Sequence, residues 1–376
     1  MDGFGTRVRE ALAAQGTSMR AAARALHYDV SYLSRVLNGK QQPSPQLAQG
    51  LDELLKTGGD FAALLKKPEP EADDTTRARS AISHLLDHDN RYGGDQVASA
   101  AVQVWKTEQR KLDRNIDPDK GYLAAVSEVA EAAGWILFDA NRKTEARQAF
   151  IESQMLARHA GDRPMQWFAM DLLAMQDVQD GRPGEALRIA DSLLATPRLP
   201  RRIALIARVR RSRALAQTGD RARSLTEVER AKSALQDSIT VRDPDWTWWV
   251  DEMEVVGHHA EVLISLGESA AAIPHLQRTN ELVVPGGRGA FYYAVAELSA
   301  FAEVGAWREC ETTIMRLVAI LEVVTSARSQ ARLDATLRII ERDAPSWLVG
   351  IVRDIFRSLP IRKQRQPRTR HPGQGR

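Results

Sequence analysis

A single cysteine, Cys310, stands among 376 residues. The chain therefore closes no intramolecular disulfide and builds no multi-cysteine zinc site, and the lone thiol reads as a small buried hydrophobe rather than a redox sensor. No run approaches the ~18 apolar residues that a spanning helix needs. The opening segment MDGFGTRVREAL mixes charges where a signal peptide would be apolar, so the expected location is the cytoplasm and no membrane is expected as a partner. Also missing are a GxxxxGK[ST] phosphate loop, an HExxH zinc helix and a GxSxG elbow. Neither convergent carboxylates nor a nucleophile–base pair stand in for them, so the chain does not read as an enzyme, and no cofactor or metal is expected. The glycines of PGGRGAF (Pro285 to Phe291) follow no strand, which makes an interhelical loop rather than a phosphate cradle. His258 and His259 are neighbours on one helix and point about 100° apart, poor geometry for one metal. Glu254 and His258, four residues apart, suit a helix-surface pair.

What is present is the composition of a globular protein, 43% hydrophobic and 27% charged, and enough length for two or more domains. Charge is unevenly spread. Residues 1–67 hold nine Lys/Arg against six Asp/Glu, residues 361–376 hold six against none, and the stretch between holds 37 against 43. A basic N-terminal module suits a phosphate partner, while a mildly acidic middle argues against DNA wrapping along the whole chain. The tail 361–376 has no apolar periodicity and reads as disordered, either adding salt-dependent affinity for DNA or having no role.

Residues 18–45, SMRAAARALHYDVSYLSRVLNGKQQPSP, read as a helix, a tight turn, a second helix and a Gly-terminated loop. Ser18 and Asp29 are placed to cap the two helices. Ala22, Ala23, Leu26, Leu33, Val36 and Leu37 fall on one shared core. Ser31, Tyr32, Ser34, Arg35 and Asn38 are then expected to point outward, polar and aromatic as a major-groove helix requires.

These residues, with Gly39 and Pro43 to Pro45, closely resemble the Xre/Cro family of bacterial helix-turn-helix domains. The resemblance spans a preceding helix (Phe4, Val8, Leu12) and following ones (Leu47, Leu51, Leu54, Leu55, then Phe61, Leu64, Leu65), and places domain 1–65. It implies base contacts from Val30, Ser31 and Arg35, and phosphate contacts from the loop holding Asn38, Gly39, Lys40 and Gln42. Ser18, Arg20, Tyr32 and Ser34 complete the expected DNA-facing set. Arg35 is the foremost candidate, since its planar fork matches guanine O6 and N7. Two departures are visible: His27 stands at the turn position where the family usually has Gly, and Ala21 stands where a capping box would want Glu or Gln.

KKPEPEADDTT (66–76) combines two prolines with a charge reversal and reads as a linker. Beyond it no strand is evident up to Pro360. Tyr122, Leu123, Val126, Val129, Ala130, Ala133, Ile136 and Leu137 form an amphipathic stripe. Breaks recur near Asn141, Gly181, Gly219, Gly267 and Gly305, spaced 40, 38, 48 and 38 residues apart, each followed by a second helix (KTEARQAF, PGEALRIA, RARSLTEVERA, ESAAAIPHL, WRECETTIM). Helix pairs that cannot bury their stripes alone must stack. The pattern resembles a tetratricopeptide-type solenoid over residues 77–360, with about six pairs and a terminal helix near Trp347 to Phe356. The fold expected is all-α, a helix-turn-helix bundle followed by a tetratricopeptide-like α-solenoid.

The concave face of such a stack suits a peptide or protein segment. Trp167 and Phe168, Trp246, Trp248 and Trp249, and Phe291, Tyr292 and Tyr293 open helices at matching places; they form either a groove floor or ordinary core. Arg201, Arg208 and Arg211 share one helix face, facing either the groove, to hold carboxylates, or solvent or a second copy. The candidate ligand residues are Trp167, Arg201, Arg208, Arg211, Trp248 and Tyr292.

An Xre-type head on such a body also resembles the peptide-responsive quorum-sensing regulators of Gram-positive bacteria. That resemblance implies a homodimeric regulator, in such families most often a repressor, binding a double-stranded operator through its heads and a signalling peptide in its groove. The alternative is a scaffold whose body recruits a partner protein to DNA.

Overall fold

The computed structural model describes residues 2–65, 73–240 and 243–358; the basic tail 361–376 and most of the expected linker lie outside them. Every regular element among the described residues is helical.

The head comprises α1 (Asp2–Ala14), α2 (Met19–Ala25), α3 (Val30–Leu37), α4 (Pro45–Leu55) and α5 (Asp60–Ala63). Ser18 Oγ accepts from the Ala21 amide at 3.1 Å, and Asp29 Oδ1 accepts from the Ser31 and Tyr32 amides at 2.8 and 3.1 Å, so orphan donors at both helix starts are satisfied as the residue types require. Between them His27 takes φ +56°, the left-handed turn for which a glycine would be the unstrained choice. Val8, Leu33, Leu47 and Leu51 are fully buried at the centre.

The body begins earlier than the linker boundary predicts. Asp73 Oδ1 accepts from the Thr76 amide at 2.7 Å and caps α6 (Asp74–Tyr92); a capping aspartate followed by Thr, Arg and Ala starts a helix, whereas composition alone reads the segment as loop. Six pairs follow one another: α6 with α7 (Ala98–Arg114), α8 (Lys120–Asp139) with α9 (Lys143–Ala160), α10 (Arg163–Gln179) with α11 (Pro183–Leu194), α12 (Arg201–Gln217) with α13 (Arg221–Ala234), α14 (Glu252–Ser265) with α15 (Ser269–Leu282), and α16 (Arg288–Glu303) with α17 (Trp307–Leu321). The expected terminal helix is the second member of a seventh pair, α18 (Ala327–Asp343) and α19 (Ser346–Ser358). Asn141, Gly181, Gly219, Gly267 and Gly305 all sit at the turn inside a pair with φ between +57° and +79°, the left-handed cap that ends a helix and reverses the chain. Trp246, Trp248 and Trp249 differ from expectation: they lie in a 3-10 turn, Asp245–Trp249, ahead of α14.

α8, α10, α12 and α14 form an inner layer, each packed on the next, and α16 continues it against α15, α18 and α6. The stack curls until its ends meet. The Thr325 amide donates to Tyr92 O at 2.7 Å. Asp139, fully buried, accepts from the Gly94 amide at 3.0 Å and Ser326 Oγ at 2.9 Å, and pairs with Arg328 at 3.2 Å. The solenoid is thus a closed ring, with the head seated against its inner side.

Candidate nucleic-acid interface and ligand cleft

The second helix of the helix-turn-helix motif, α3, does not present its polar face to solvent. Ser34 and Arg35 are 3% and 9% exposed, because α3 lies against α6 and the 3-10 turn before α14. Arg35 Nε donates to Gln41 at 3.2 Å and its Nη2 pairs with Asp87 of α6. Arg20 pairs with Asp251 at 2.8 Å, and Lys40 with Glu128 of α8 at 3.4 Å. Arg24 donates to Leu282 O at 3.0 Å, and Asn90 Nδ2 to Asp29 Oδ1 at 3.3 Å. Trp248 and Val284 pack on the head's own core.

The remaining expected DNA contacts divide. Tyr32 is a correction: it points into the head, stacks on Tyr28 with centroids 5.4 Å apart, and its hydroxyl accepts from the Ser44 amide at 3.3 Å. Val30 is buried in the same core. Ser31, Ser34, Asn38 and Lys40 line the cleft between head and ring, while Ser18 and Gln42 are exposed outside it. Asn38 is braced from behind, accepting from Arg9 Nη1 at 2.7 Å.

That cleft is about 870 Å³. One wall is aromatic: Phe168 and Trp246 stack 4.5 Å apart and 7° from parallel, with Trp249 6.1 Å further on. Its floor is a chain of buried charges. Arg210, 1% exposed, holds Asp171 through two nitrogens at 2.9 and 3.0 Å, and its Nη1 lies 2.6 Å from His258, which in turn meets Glu254 at 2.8 Å. In a neighbouring cavity that shares Arg213 and Arg328 with the cleft, Glu261 accepts from the Tyr292 hydroxyl at 2.9 Å and pairs with Arg332 at 2.5 Å and Arg213 at 3.5 Å. Burial works against ionisation of Glu254 and Glu261, yet the cations around them prevail and hold both carboxyls at about 2. Glu131, facing the same cleft, has the opposite fate: burial pushes it up to about 8, Lys40 opposing and Glu128 adding to the rise. Asp87 is likewise raised, by burial against the pull of Arg35.

Of the expected ligand residues, Trp248 and Tyr292 line this cleft. The other four sit elsewhere. Trp167 stacks under Arg163 at 5.4 Å while its neighbour Phe168 takes the inward position. Arg201 is exposed, and Arg208 and Arg211 turn outward to Glu227, at 2.8 and 3.3 Å, and Asp191. The inward arginines of α12 are Arg210 and Arg213. The phase was illegible because α12 is an inner helix buried on nearly every side, with Ile203, Leu205, Ile206 and Val209 all inaccessible, and so has no single apolar stripe from which to read an orientation. Asp87, Glu128 and Asp251 carry no local signal at all; only the docking of the head singles them out.

A helix-turn-helix head on a ring of helix pairs, with a cleft between them, is the architecture of a DNA-binding protein with a helical-repeat body. Residues 4–65 match the helix-turn-helix domain family. Over 93% of this chain and 91% of the other, the structure resembles that of a Rap protein complexed with competence and sporulation factor, at 8% identity and a TM-score of 0.50, which shows a shared fold. It is also similar, over 75% of this chain and 94% of the other, to Bacillus thuringiensis PlcR in complex with the peptide PapR7 and DNA, at 12% identity and a TM-score of 0.38. No curated protein matches the sequence. Among the described residues no helix is long and apolar enough to cross a membrane.

Proposed function

We propose that this is an Xre-type, sequence-specific transcriptional regulator of the cytoplasm, a repressor acting as a homodimer, whose tetratricopeptide-like body takes a signalling peptide or similar ligand in the cleft. The observation carrying this reading is that the two activities share one space: Ser31, Ser34 and Lys40 of the head and Phe168, Trp246 and Tyr292 of the body line the same cavity. An occupant of that volume touches both domains, so its binding free energy differs between head positions, which is the requirement for a ligand to shift a conformational equilibrium. Flat aromatic surface beside fixed charges suits a short peptide, whose apolar side chains and termini need each in turn. A single small head makes few base contacts, and joining two raises their effective concentration on a two-half-site operator.

The test is selection of fragmented DNA from the source organism with the full chain at physiological salt, repeated with Arg35→Ala. Enrichment of a palindromic site that the variant loses supports the reading. Salt-sensitive enrichment without a motif favours the scaffold alternative, in which the head only places a partner on DNA.

A further inference from the structure

The pairs between head and ring are selective. Arg20, Arg35 and Lys40, the basic residues expected to meet DNA, each meet a carboxylate of the body: Asp251, Asp87 and Glu128. Arg9, which does not line the cleft, instead donates to Leu37 O and Asn38 Oδ1. The three acids come from separate elements, α6, α8 and the residue before α14, which the closure of the ring brings to one concave edge. Two are fixed there independently of the head. Glu128 is held by Arg79 through two nitrogens at 2.8 and 3.1 Å, and Asp251 caps α14 by accepting from the Glu254 amide at 3.2 Å. The edge is therefore a preorganised row of anionic oxygens facing a surface built to meet phosphate oxygens.

Such a contact and a DNA complex are mutually exclusive. With Arg35 9% and Ser34 3% exposed, the base-reading face has no room for a duplex edge, and each basic side chain already spends its charge on a carboxylate. We propose that the concave edge formed by Asp87, Glu128 and Asp251 is a binding surface for the chain's own DNA-reading face and competes directly with the DNA backbone, so that the closed form holds no DNA and the head must leave the ring to bind. This rests on the reading of the head as DNA-binding. The closure is weak enough to be reversible: partly exposed ion pairs each shift an equilibrium only a few-fold, and the apolar part of the contact is confined mainly to Trp248 and Val284. Apparent DNA affinity is then the intrinsic affinity scaled by the open fraction.

The experiment compares three full-length proteins on a labelled random-sequence DNA duplex: wild type, Asp87→Asn/Glu128→Gln/Asp251→Asn, and a charge-matched control, Asp113→Asn/Glu309→Gln/Glu341→Gln, at exposed positions outside the cleft. The amides keep shape, asparagine remains a good cap at position 251, and circular dichroism confirms folding. The cleft triple should bind about tenfold tighter than wild type or more, and the control within about twofold of it. Its affinity should fall more steeply with salt, because wild type trades carboxylate pairs for phosphate pairs while the variant makes only the new ones. Without DNA, amides of α3 should exchange faster in the triple variant. Wild type and cleft triple binding equally well, with equal exchange, overturns the competition while leaving the DNA-binding reading intact. Failure of all of them to bind duplex DNA overturns that reading and the proposal with it, and a gain in the charge-matched control equal to that of the cleft triple shows that lost negative charge, rather than release of the head, raises the affinity and overturns the proposal alone.

Discussion

Tyr92 and Thr325 lie 233 residues apart in sequence and are joined by a backbone hydrogen bond of 2.7 Å. This contact ties the end of the first repeat helix to the loop before the last pair and converts an open stack into a ring. The cleft depends on it, because only a closed ring brings α6, α8 and α14 round a single head. Buried charges then lock the join: Asp89 and Asp139, both inaccessible, hold Arg288 and Arg328.

Gly93 is the point at which that ring is most sensitive. It takes φ +84°, and a Cβ there would stand 2.0 Å from Thr325 O. Gly93→Ala meets both a left-handed backbone penalty and a clash with rigid backbone, and should cost about 1–3 kcal/mol. Thermal unfolding should show a lowered midpoint, and exchange should rise first around 92–95 and 325–327. An unchanged midpoint would mean the ring ends move apart without penalty.

Glu131 gives a pH dependence of defined sign. Its folded carboxyl is raised to about 8, from an ordinary value of 4.5, by burial chiefly. A raised acid contributes stability that is complete below its unfolded value and is lost as pH climbs through the folded one. Glu131→Gln should therefore melt higher than wild type at pH 8, with the advantage shrinking steadily towards pH 4.5. Parallel melts at pH 5, 6.5 and 8 check this; a constant offset would place the carboxyl in water.

Glu261 runs the other way. Held at about 2 between Arg332 and Arg213 against the cost of burial, it contributes stability that is present above pH 4.5 and lost as pH falls towards 2. Glu261→Gln leaves two guanidiniums facing a neutral group at a site only 7% exposed, and removing one partner of a buried pair costs about 3 kcal/mol. Denaturant midpoints at neutral pH should fall accordingly, and the gap from wild type should narrow in acid.

Much of this architecture was legible because the signals are local. Ser18 and Asp29 announce helix starts through oxygens that only a cap uses, and Asn141, Gly181, Gly219, Gly267 and Gly305 announce reversals because a left-handed residue tolerates few side chains. What failed has a common physical origin. Reading orientation from an apolar stripe works for outer helices with one wet face, whereas α12 is buried on opposite sides, so the pattern leaves open whether Arg208 and Arg211 face the groove or the outside, and it is Arg210 and Arg213 that face inward. Trp167 and Phe168 were separated only by which neighbour the next helix covers. The burial of Arg35 depends on Asp87, a residue 52 positions away, and no periodicity connects the two.

His27 offers a test of the turn on which the reading of the head depends. Its φ of +56° costs a side-chain-bearing residue about 1 kcal/mol, a penalty glycine avoids, but glycine also frees the unfolded chain by about 0.4–1 kcal/mol. The two terms oppose and nearly cancel, so His27→Gly should stabilise the head only slightly, by about 0.5 kcal/mol at most. His27→Ala, which keeps the strained φ without glycine's freedom, should give no gain. Hydrogen exchange of α2 and α3 amides is the suitable readout, since a global melt is dominated by the ring. A large loss in His27→Gly would show that the imidazole itself holds the turn, and the exposed ring would then need a partner that the closed head does not supply.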